Sequence, residues 1–408
     1  MTIGDESVVL EVGGKKIARW ENYSFNNHFL IPADGFSFSI GGDSLTPDLI
    51  KMLKPGLAVK LTIDGNVQAS GFIDRIVPRT NRSGGGTITV EGRDKFGSVL
   101  DSQIDPRKKW KDTTLEKFII DTLGPFGFTT FFVDNEANTN VAAGKAVKRN
   151  KKPKKLSEYK SSYAKPQNNE CVFSFVSRIT QHLGLWIWPT VDGDGVVVGV
   201  PDFAQKARYR IVMRMRGGSQ NTALEGGVTR DYTGQPSFIV GRGRIPGKTF
   251  ERTKTSVTLT SNLAASGTQT PALKAVGESP FIDHLGYQIE KETVVVPAKP
   301  VEWANEFAST VARPIFLTDD HSKDIEELKK FVQREMSLRT RHAVTGHYIV
   351  AGHTQNDVPW TIDSICDVSD EVSDWERPMW ILSRTFRKDR SSGTTTELEL
   401  LPLDSLVF

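Results

Sequence analysis

Apolar and polar residues alternate most clearly from Gly56 onward, in GLAVKLTIDGNVQASGFIDRIVPRTNRSGGGTITVEGRD. Val59, Leu61 and Ile63 fall on every second position, the period of a half-buried strand. Asp64-Gly65-Asn66 reads as a tight hairpin turn, because these residues tolerate the positive φ such turns need. Gln68–Arg79 continues as a second strand, with Pro78 expected to mark its frayed edge. After a loop at Asn81–Gly86, Thr87–Glu91 alternates again as a third strand.

The same order of elements returns at the end of the chain. Trp360–Val368 and Met379–Arg387 are strand candidates, followed by SSGTTTELELLPLD with Leu398 and Leu400 set against Glu397 and Glu399. SGGGTITVEGRD and SSGTTTELELLPLD are the closest echo. A duplication of this kind predicts two related small antiparallel β-barrels, one at each end of the chain.

The first barrel draws further strands from Val8–Val12, Lys16–Tyr23 and Phe36–Ile40. The period then changes. Thr113-Thr114-Leu115-Glu116 has capping-box form, and Leu115, Phe118, Ile119 and Leu123 share one helical face. Gly124-Pro125 is expected to stop that helix through a left-handed cap. A short strand follows Gly127. Val172, Phe175, Val176, Ile179 and Leu183 predict a second helix, with Asn168 or Asn169 as cap and Gly184 as terminator. LWIWPTVDGDGVVVGVP then reads as a hairpin. Strands are expected within Ser219–Arg244 and at Gly286–Val296, and helices at Glu302–Ala312 and Ser322–Arg339. Ile325, Leu328, Val332 and Met336 line the last helix, with Glu326 and Lys330 paired outside. Val344–Gly352 opens the final barrel, and Phe250–Pro280, rich in Thr and Ser, fits no clear element.

The fold class expected is therefore α+β, mostly β. Residues 1–104 form the first β-barrel domain, and 105–205 an α/β insert containing a mobile basic loop at 134–169. Residues 206–244 start a discontinuous second barrel, 245–320 form a further insert, and 321–408 supply a helix and the rest of that barrel.

Composition narrows the function. The chain of 408 residues carries a net charge of +3, yet Lys145–Lys165 holds nine Lys or Arg against one Glu. That segment alone is +8, which leaves about −5 for the rest. Lys148, Arg149, Lys151, Lys152, Lys154 and Lys155 make a candidate docking loop for an acidic partner or nucleic acid. No aromatic residues interleave for base stacking, and a solvated surface loop is the alternative. No apolar run reaches membrane-spanning length, and the acidic start MTIGDESVVLEV lacks a signal pattern. Two cysteines, Cys171 and Cys366, exclude a disulfide framework and fit a reducing cytoplasm.

No catalytic, cofactor or metal constellation emerges. His342, His347 and His353 are spaced five and six apart, off the helical spacing of a zinc site. Asp192 and Asp194 carry turn chemistry without the remainder of a calcium loop. GRGRIPG at Gly241 lacks the ending of a phosphate loop. No pair of carboxylates stands out for glycoside hydrolysis. Trp186, Trp188, Trp360, Trp375 and Trp380 suit either a sugar-binding surface or, given their strand-like runs, a core.

The order of elements resembles the tail baseplate hub of contractile phages, in its Mu-like and late-control D forms. The hub part of the type VI spike protein VgrG is more distantly similar. The resemblance rests on four stretches: the opening strand with Trp20 at the end of GGKKIARW, VEGRDKFGSVLD, FSFVSRITQHLGLWIWPTVDGDGVVV, and the Arg339/Arg341 helix preceding HYIVAGHTQNDVPWTIDSICDV and a terminal Thr-rich strand. The basic segment and the Thr/Ser-rich stretch depart from the pattern. This resemblance implies a homotrimer in which two barrels per chain make a pseudo-sixfold ring. Such a ring joins the sixfold tail tube to the threefold central spike and touches baseplate wedge proteins. It leaves a channel for the tape-measure protein and DNA. The location implied is the virion tail, assembled in the host bacterial cytoplasm, with no enzyme activity and no cofactor. A tail-associated cell-wall-degrading enzyme and a glycan-binding tail adhesin are the alternatives.

Overall fold

The computed structural model describes residues 7–82, 85–133, 164–216, 220–231, 233, 236, 238–243, 293–297, 313–319, 325–389 and 392–403. The chain divides into two compact units. One comprises Met1–Asp231 with Val344–Asp404, the other Tyr232–Ala343 with Ser405–Phe408.

The larger unit begins with β1 (Val8–Val12), β2 (Lys15–Ile17), β3 (Asn22–His28) and β4 (Gly35–Gly41). After the short helix α1 (Pro47–Met52) come β5 (Ala58–Ile63), β6 (Asn66–Asn81) and β7 (Gly85–Asp94). The β5–β6 turn is the one the sequence predicts, with Asp64 and Gly65 at φ of 46° and 80°. Pro78 does not fray β6. It pairs with Ile88, and the ladder runs on to Asn81 opposite Gly85.

An α/β layer follows: α2 (Phe96–Asp101), α3 (Leu115–Leu123), β8 (Thr130–Val133), α4 (Val172–His182), β9 (Trp186–Pro189) and β10 (Gly195–Gly199). Strand β10 lies antiparallel to β9 and parallel to β8. The apolar helical faces bury as expected, with Leu115, Phe118, Ile119, Leu123, Phe175, Val176 and Ile179 in one core. The caps differ in detail. Thr114 Oγ1, not Thr113, accepts from the Lys117 N–H. Gly124 stays right-handed and opens a further tight turn, and Gly127 (φ 82°) makes the left-handed stop. Helix α4 is capped by the Cys171 sulfur rather than an asparagine, its Sγ accepting from the Ser174 N–H at 3.3 Å.

Next come β11 (Tyr209–Met213) and β12 (Ala223–Arg230). The smaller unit contains β13 (Phe238–Gly243), β14 (Thr293–Pro297), β15 (Pro314–Asp319) and α5 (Ile325–Thr340). There β13 is central, antiparallel to β14 and parallel to β15. Leu328, Val332 and Met336 of α5 pack with Ile239. This helix, expected with the C-terminal strands, packs on β13 within the smaller unit. The Phe250–Pro280 stretch, the Glu302–Ala312 helix and the Glu326–Lys330 side chains lie outside the described residues. Glu335 and Arg339 supply an i,i+4 ion pair on α5 at 3.6 Å.

The chain returns to the larger unit with β16 (Val344–Ala351), the two-residue strands β17 (Thr354–Gln355) and β18 (Val358–Pro359), β19 (Ile365–Asp370), β20 (Trp375–Asp389) and β21 (Gly393–Pro402). Strand β19 begins at Ile365, not Trp360, because Asp363 turns the backbone at φ 54°.

The fold is mostly β, as expected, and the duplication is present in register. All ten β6–β7 pairs recur in β20–β21 at a constant offset of 308 (71 to 379, 94 to 402). The ladder irregularity recurs too: the extra residue is Asp74 in β6 and Leu382 in β20. Pairing of β4 with β7 matches β16 with β21, and β3 with β4 matches β12 with β16. Five strands, β3-β4-β7-β6-β5, therefore correspond to β12-β16-β21-β20-β19.

The expected pair of separate closed barrels is corrected. The strands form one thirteen-stranded sheet running β12-β16-β21-β20-β3-β4-β7-β6-β5-β1-β2, with β19 branching from β20 and β11 paired to β19. The cause is the length of β20. Its first half pairs with β19 and its second half, beyond the bulge, pairs with β3. The second copy thus adds onto the first instead of closing on itself.

Candidate functional site: the seam between the two copies

Six residue pairs, from Ser383 opposite His28 to Lys388 opposite Tyr23, join β20 to β3. The Phe29 N–H extends the seam by donating to the Leu382 carbonyl at 3.0 Å. Below this ladder lies a buried polar and aromatic cluster, with residues drawn from both ends of the chain.

Tyr23 Oη is 2.8 Å from His353 Nε2, and His353 Nδ1 is 3.1 Å from Thr396 Oγ1. Thr396 donates to the Gly352 carbonyl at 2.6 Å, so its oxygen accepts from the imidazole Nδ1–H. The Nε2 lone pair is then left to accept from the Tyr23 hydroxyl. Burial, helped by the Arg384 charge, pushes His353 down to about 3, so the ring is neutral.

Arg384 is 1 % exposed. Its guanidinium carbon lies 4.4 Å from the Phe386 ring centroid and 5.8 Å from that of Phe25. Its Nη1 donates to the Trp360 carbonyl. Burial lowers it to about 10, so it keeps its charge at neutral pH. Nearby, Asn27 Nδ2 and the His28 N–H donate to Asp34, whose burial raises it to about 7. Asp94 is raised as well, by burial and then by the Asp34 charge, while its Oδ1 accepts from the Phe96 N–H at 2.9 Å. This is the carboxylate pair that the sequence did not single out. Both members are 6 % exposed or less, closed off from solvent in the single chain.

Phe29 gathers the aromatic side of the cluster, with ring centroids 4.8 Å from Trp188 and 4.9 Å from Trp380. Trp380 Nε1 donates to Asp363 Oδ1 at 3.0 Å, and Phe203 packs edge-on to Trp380. Trp188, Trp360, Trp375 and Trp380 are buried core, and Trp186, half-buried, packs 6.4 Å from Phe29, so the five do not share one exposed face.

Of the three spaced histidines, His353 is fully buried and His347 is exposed on β16. The His342 side chain lies outside the described residues. No group of acidic, His or Cys side chains suited to a metal occurs among the described residues. Asp192 and Asp194 serve the β9–β10 turn. Asp192 Oδ1 accepts from Thr190 Oγ1 and the Asp194 N–H, and Asp194 takes an ion pair from Lys95 at 2.6 Å. Lys148, Arg149, Lys151, Lys152, Lys154 and Lys155 all lie outside the described residues. No described helix is long and apolar enough to cross a membrane.

The seam is thus built from strand pairing, close packing and buried polar groups, of which Asp94 Oδ2, Trp360 Nε1 and Arg384 Nε find no hydrogen-bond partner among the described residues. Sequence reasoning placed β20, expected at Met379–Arg387, but not β3: the single strand expected at Lys16–Tyr23 is β2 (Lys15–Ile17) and the start of β3 (Asn22–His28), and the meeting of Tyr23, His353, Asp34 and Arg384 was missed. One signal was visible, an arginine at an inward position of an alternating strand, but its partners lie hundreds of residues away.

Comparison with known proteins agrees with the resemblance seen in the sequence. Residues 7–94 match the family described as Mu phage baseplate assembly protein GpP-like, N-terminal. The tail protein from Neisseria meningitidis MC58 shares the fold with a TM-score of 0.72 at 20 % identity, over 98 % of this chain and 97 % of that one. The 43 kDa tail protein of prophage MuSo2 from Shewanella oneidensis gives 0.68 at 17 %, over 99 % and 100 %. Prophage tail protein gp18 from Listeria monocytogenes EGD-e gives 0.51 at 8 %, over 97 % and 94 %. No curated protein sequence matches the chain.

Proposed function

We propose that this chain is the structural hub of a contractile phage tail baseplate, or of a tail-like device, and that it works as a homotrimer. The observation that carries this reading is the duplication in register of β3–β7 as β12 and β16–β21. Three such chains present six similar five-stranded units around one axis. That number matches a sixfold tail tube, while the three chains themselves match a threefold spike. The match of residues 7–94 to a Mu baseplate domain and the shared fold of tail proteins support the same assignment.

In this reading the task is to carry load, and the seam suits it. Two copies locked by strand pairing and a buried cluster move as one body. The central spike, the tail tube or distal tail protein and the wedge proteins are the partners, and the tape-measure protein and DNA pass through the middle. The working location is the virion tail, after assembly in the host cytoplasm. The basic segment acts as a docking loop for an acidic tail partner; unchanged assembly after deletion of residues 148–155 would sink that part.

Native mass, measured at several concentrations alone and with a candidate spike protein, tests the hub. A trimer in either condition is expected. A stable monomer in both would remove the reading.

A further inference from the structure

Strand β6 is built like β20 but lacks its second neighbour. Its first half pairs with β5, and its residues 74–81 have only β7 beside them among the described residues. Leu382 and Phe386 are buried beneath β3, whereas their counterparts Asp74 and Pro78 are exposed, and Ile76 is only half-buried where Arg384 is fully so. At the other end of the sheet β12, the counterpart of β3, is the terminal strand. The chain therefore carries one completed seam and the two separate halves of a second.

We infer that a second copy of this chain completes that seam by adding its β12 to the outer edge of β6, antiparallel and in the register of β3 on β20. This rests on the ring proposed above and specifies the contact that builds it. Carrying the β20–β3 pairs over by the observed correspondence sets Arg75 opposite Asp231 and Ile76 opposite Arg230 of the second copy. Val77 then faces Thr229, Pro78 faces Val228, Arg79 faces Gly227 and Thr80 faces Gly226.

The side chains suit this register. Arg75, which already pairs with Glu91, meets an opposite charge in Asp231. Arg79 lies diagonal to Glu225, and Pro78 meets Val228 where Phe386 meets Phe25 in the completed seam. Three of the exposed large apolar side chains lie around the outer edge of β12: Met215, Leu224 and Val372, at 71 %, 61 % and 71 % exposure. Leu224 is on β12. Met215 and Val372 flank Glu371, whose carboxylate accepts from the Met215 N–H. Apolar side chains left in water beside a terminal strand, whose outer edge meets only the Ser373–Asp374 turn and no ladder partner among the described residues, mark a contact surface.

The backbone also fits. The Phe29 N–H donation to Leu382 shows which β20 positions face β3, and Phe386 is among them. Its counterpart Pro78 thus turns its missing N–H away from β7, which explains why it leaves the β6–β7 ladder intact. The new seam loses that one donor. The Val228 N–H, held by Ser373 Oγ at 2.9 Å in the single chain, would pass to the Pro78 carbonyl.

A head-to-tail contact of this kind closes a ring or builds a filament. Cysteine cross-linking in a Cys171→Ser background tests the register. Val77 and Thr229 fall at a non-hydrogen-bonded pair, where Cα atoms about 4.5 Å apart admit a disulfide. Their counterparts in the completed seam, Asn26 and Thr385, touch at 3.3 Å, so Asn26→Cys with Thr385→Cys is the within-chain control. Mixing the single variants Val77→Cys and Thr229→Cys under mild oxidation should give a covalent two-chain product, and the double variant a three-chain product. Val77→Cys mixed with Val228→Cys, whose side chains lie on opposite faces, should give neither. A trimer by native mass that cross-links no better through 77/229 than through 77/228 overturns this register and leaves the ring. Monomer under all conditions overturns both.

Discussion

Tyr23 and His353 stand 330 positions apart and share a buried hydrogen bond of 2.8 Å. The bond ties a strand of the first copy to a turn of the second. Tyr23→Phe keeps the ring packing but leaves His353 Nε2 buried without its donor. The expected cost is about 1–2 kcal/mol, read as a lower urea midpoint with unchanged slope. An unchanged midpoint would mean that the hydroxyl contributes nothing to the seam.

Asp363 gives a pH test with a defined sign. Its folded value of about 7 lies above the ordinary carboxylate value because of burial, so the folded state holds a proton that the unfolded state releases. Its contribution is fully present below about pH 4 and is lost as pH rises through 7. Asp363→Asn should match the parent at pH 4 and exceed it by pH 8, by on the order of 2–4 kcal/mol. Asn tolerates the positive φ of 54° at this position and can still accept from Trp380. Denaturation midpoints across pH 4–8 check it. His353 acts the other way, removing stability as pH falls from about 6.5 towards 3, and remains in both proteins.

Arg384 separates charge from packing. Arg384→Ala opens a cavity between Phe25 and Phe386 and removes the donor to the Trp360 carbonyl, for an expected loss of about 3–5 kcal/mol. Arg384→Met refills most of the volume among apolar neighbours and should recover more than half of that loss. Equal losses in the two variants would show that the guanidinium itself, and not its bulk, holds the seam.

Gly92 of β7 lies tight against both β6 and the Phe36 ring of β4. A Cβ there would sit 2.1 Å from the Phe72 carbonyl oxygen and 2.4 Å from the Phe36 ring. Gly92→Ala must push β6 from β7 beside the bulge, at about 2–4 kcal/mol. The equivalent position in the second copy is Leu400, which carries a side chain. Leu400→Ala should therefore lose stability by cavity formation, not by strain. Thermal melting of both variants distinguishes the two sites.

Much of the local structure was legible from sequence because its causes are local. The turn at Asp64-Gly65, the stop at Gly184 and the buried faces of α3 and α4 each follow from a few neighbouring residues. The misses share a different cause. Strand β11 is flanked by Arg208 and Arg214 and pairs in parallel with β19, more than 150 positions away, so no short window announces it. Cys171 caps α4 although thiols are uncommon caps, and Gly127 rather than Gly124 makes the left-handed stop because a tight turn intervenes.

The sequence by itself determined that the chain is mostly β, that its beginning and end are built to one pattern, and that the pattern resembles a tail hub. Alternation, turn residues and helical spacing act within about ten residues, and duplication leaves its mark in order even when identity has faded. Only the tertiary structure decided that the copies share one sheet, that β20 divides its pairing between β19 and β3, and that Tyr23, Asp34, His353 and Arg384 meet inside. The physical reason is that strand edges and buried polar groups are satisfied by whichever partner folding brings close. In this chain those partners lie several hundred residues away.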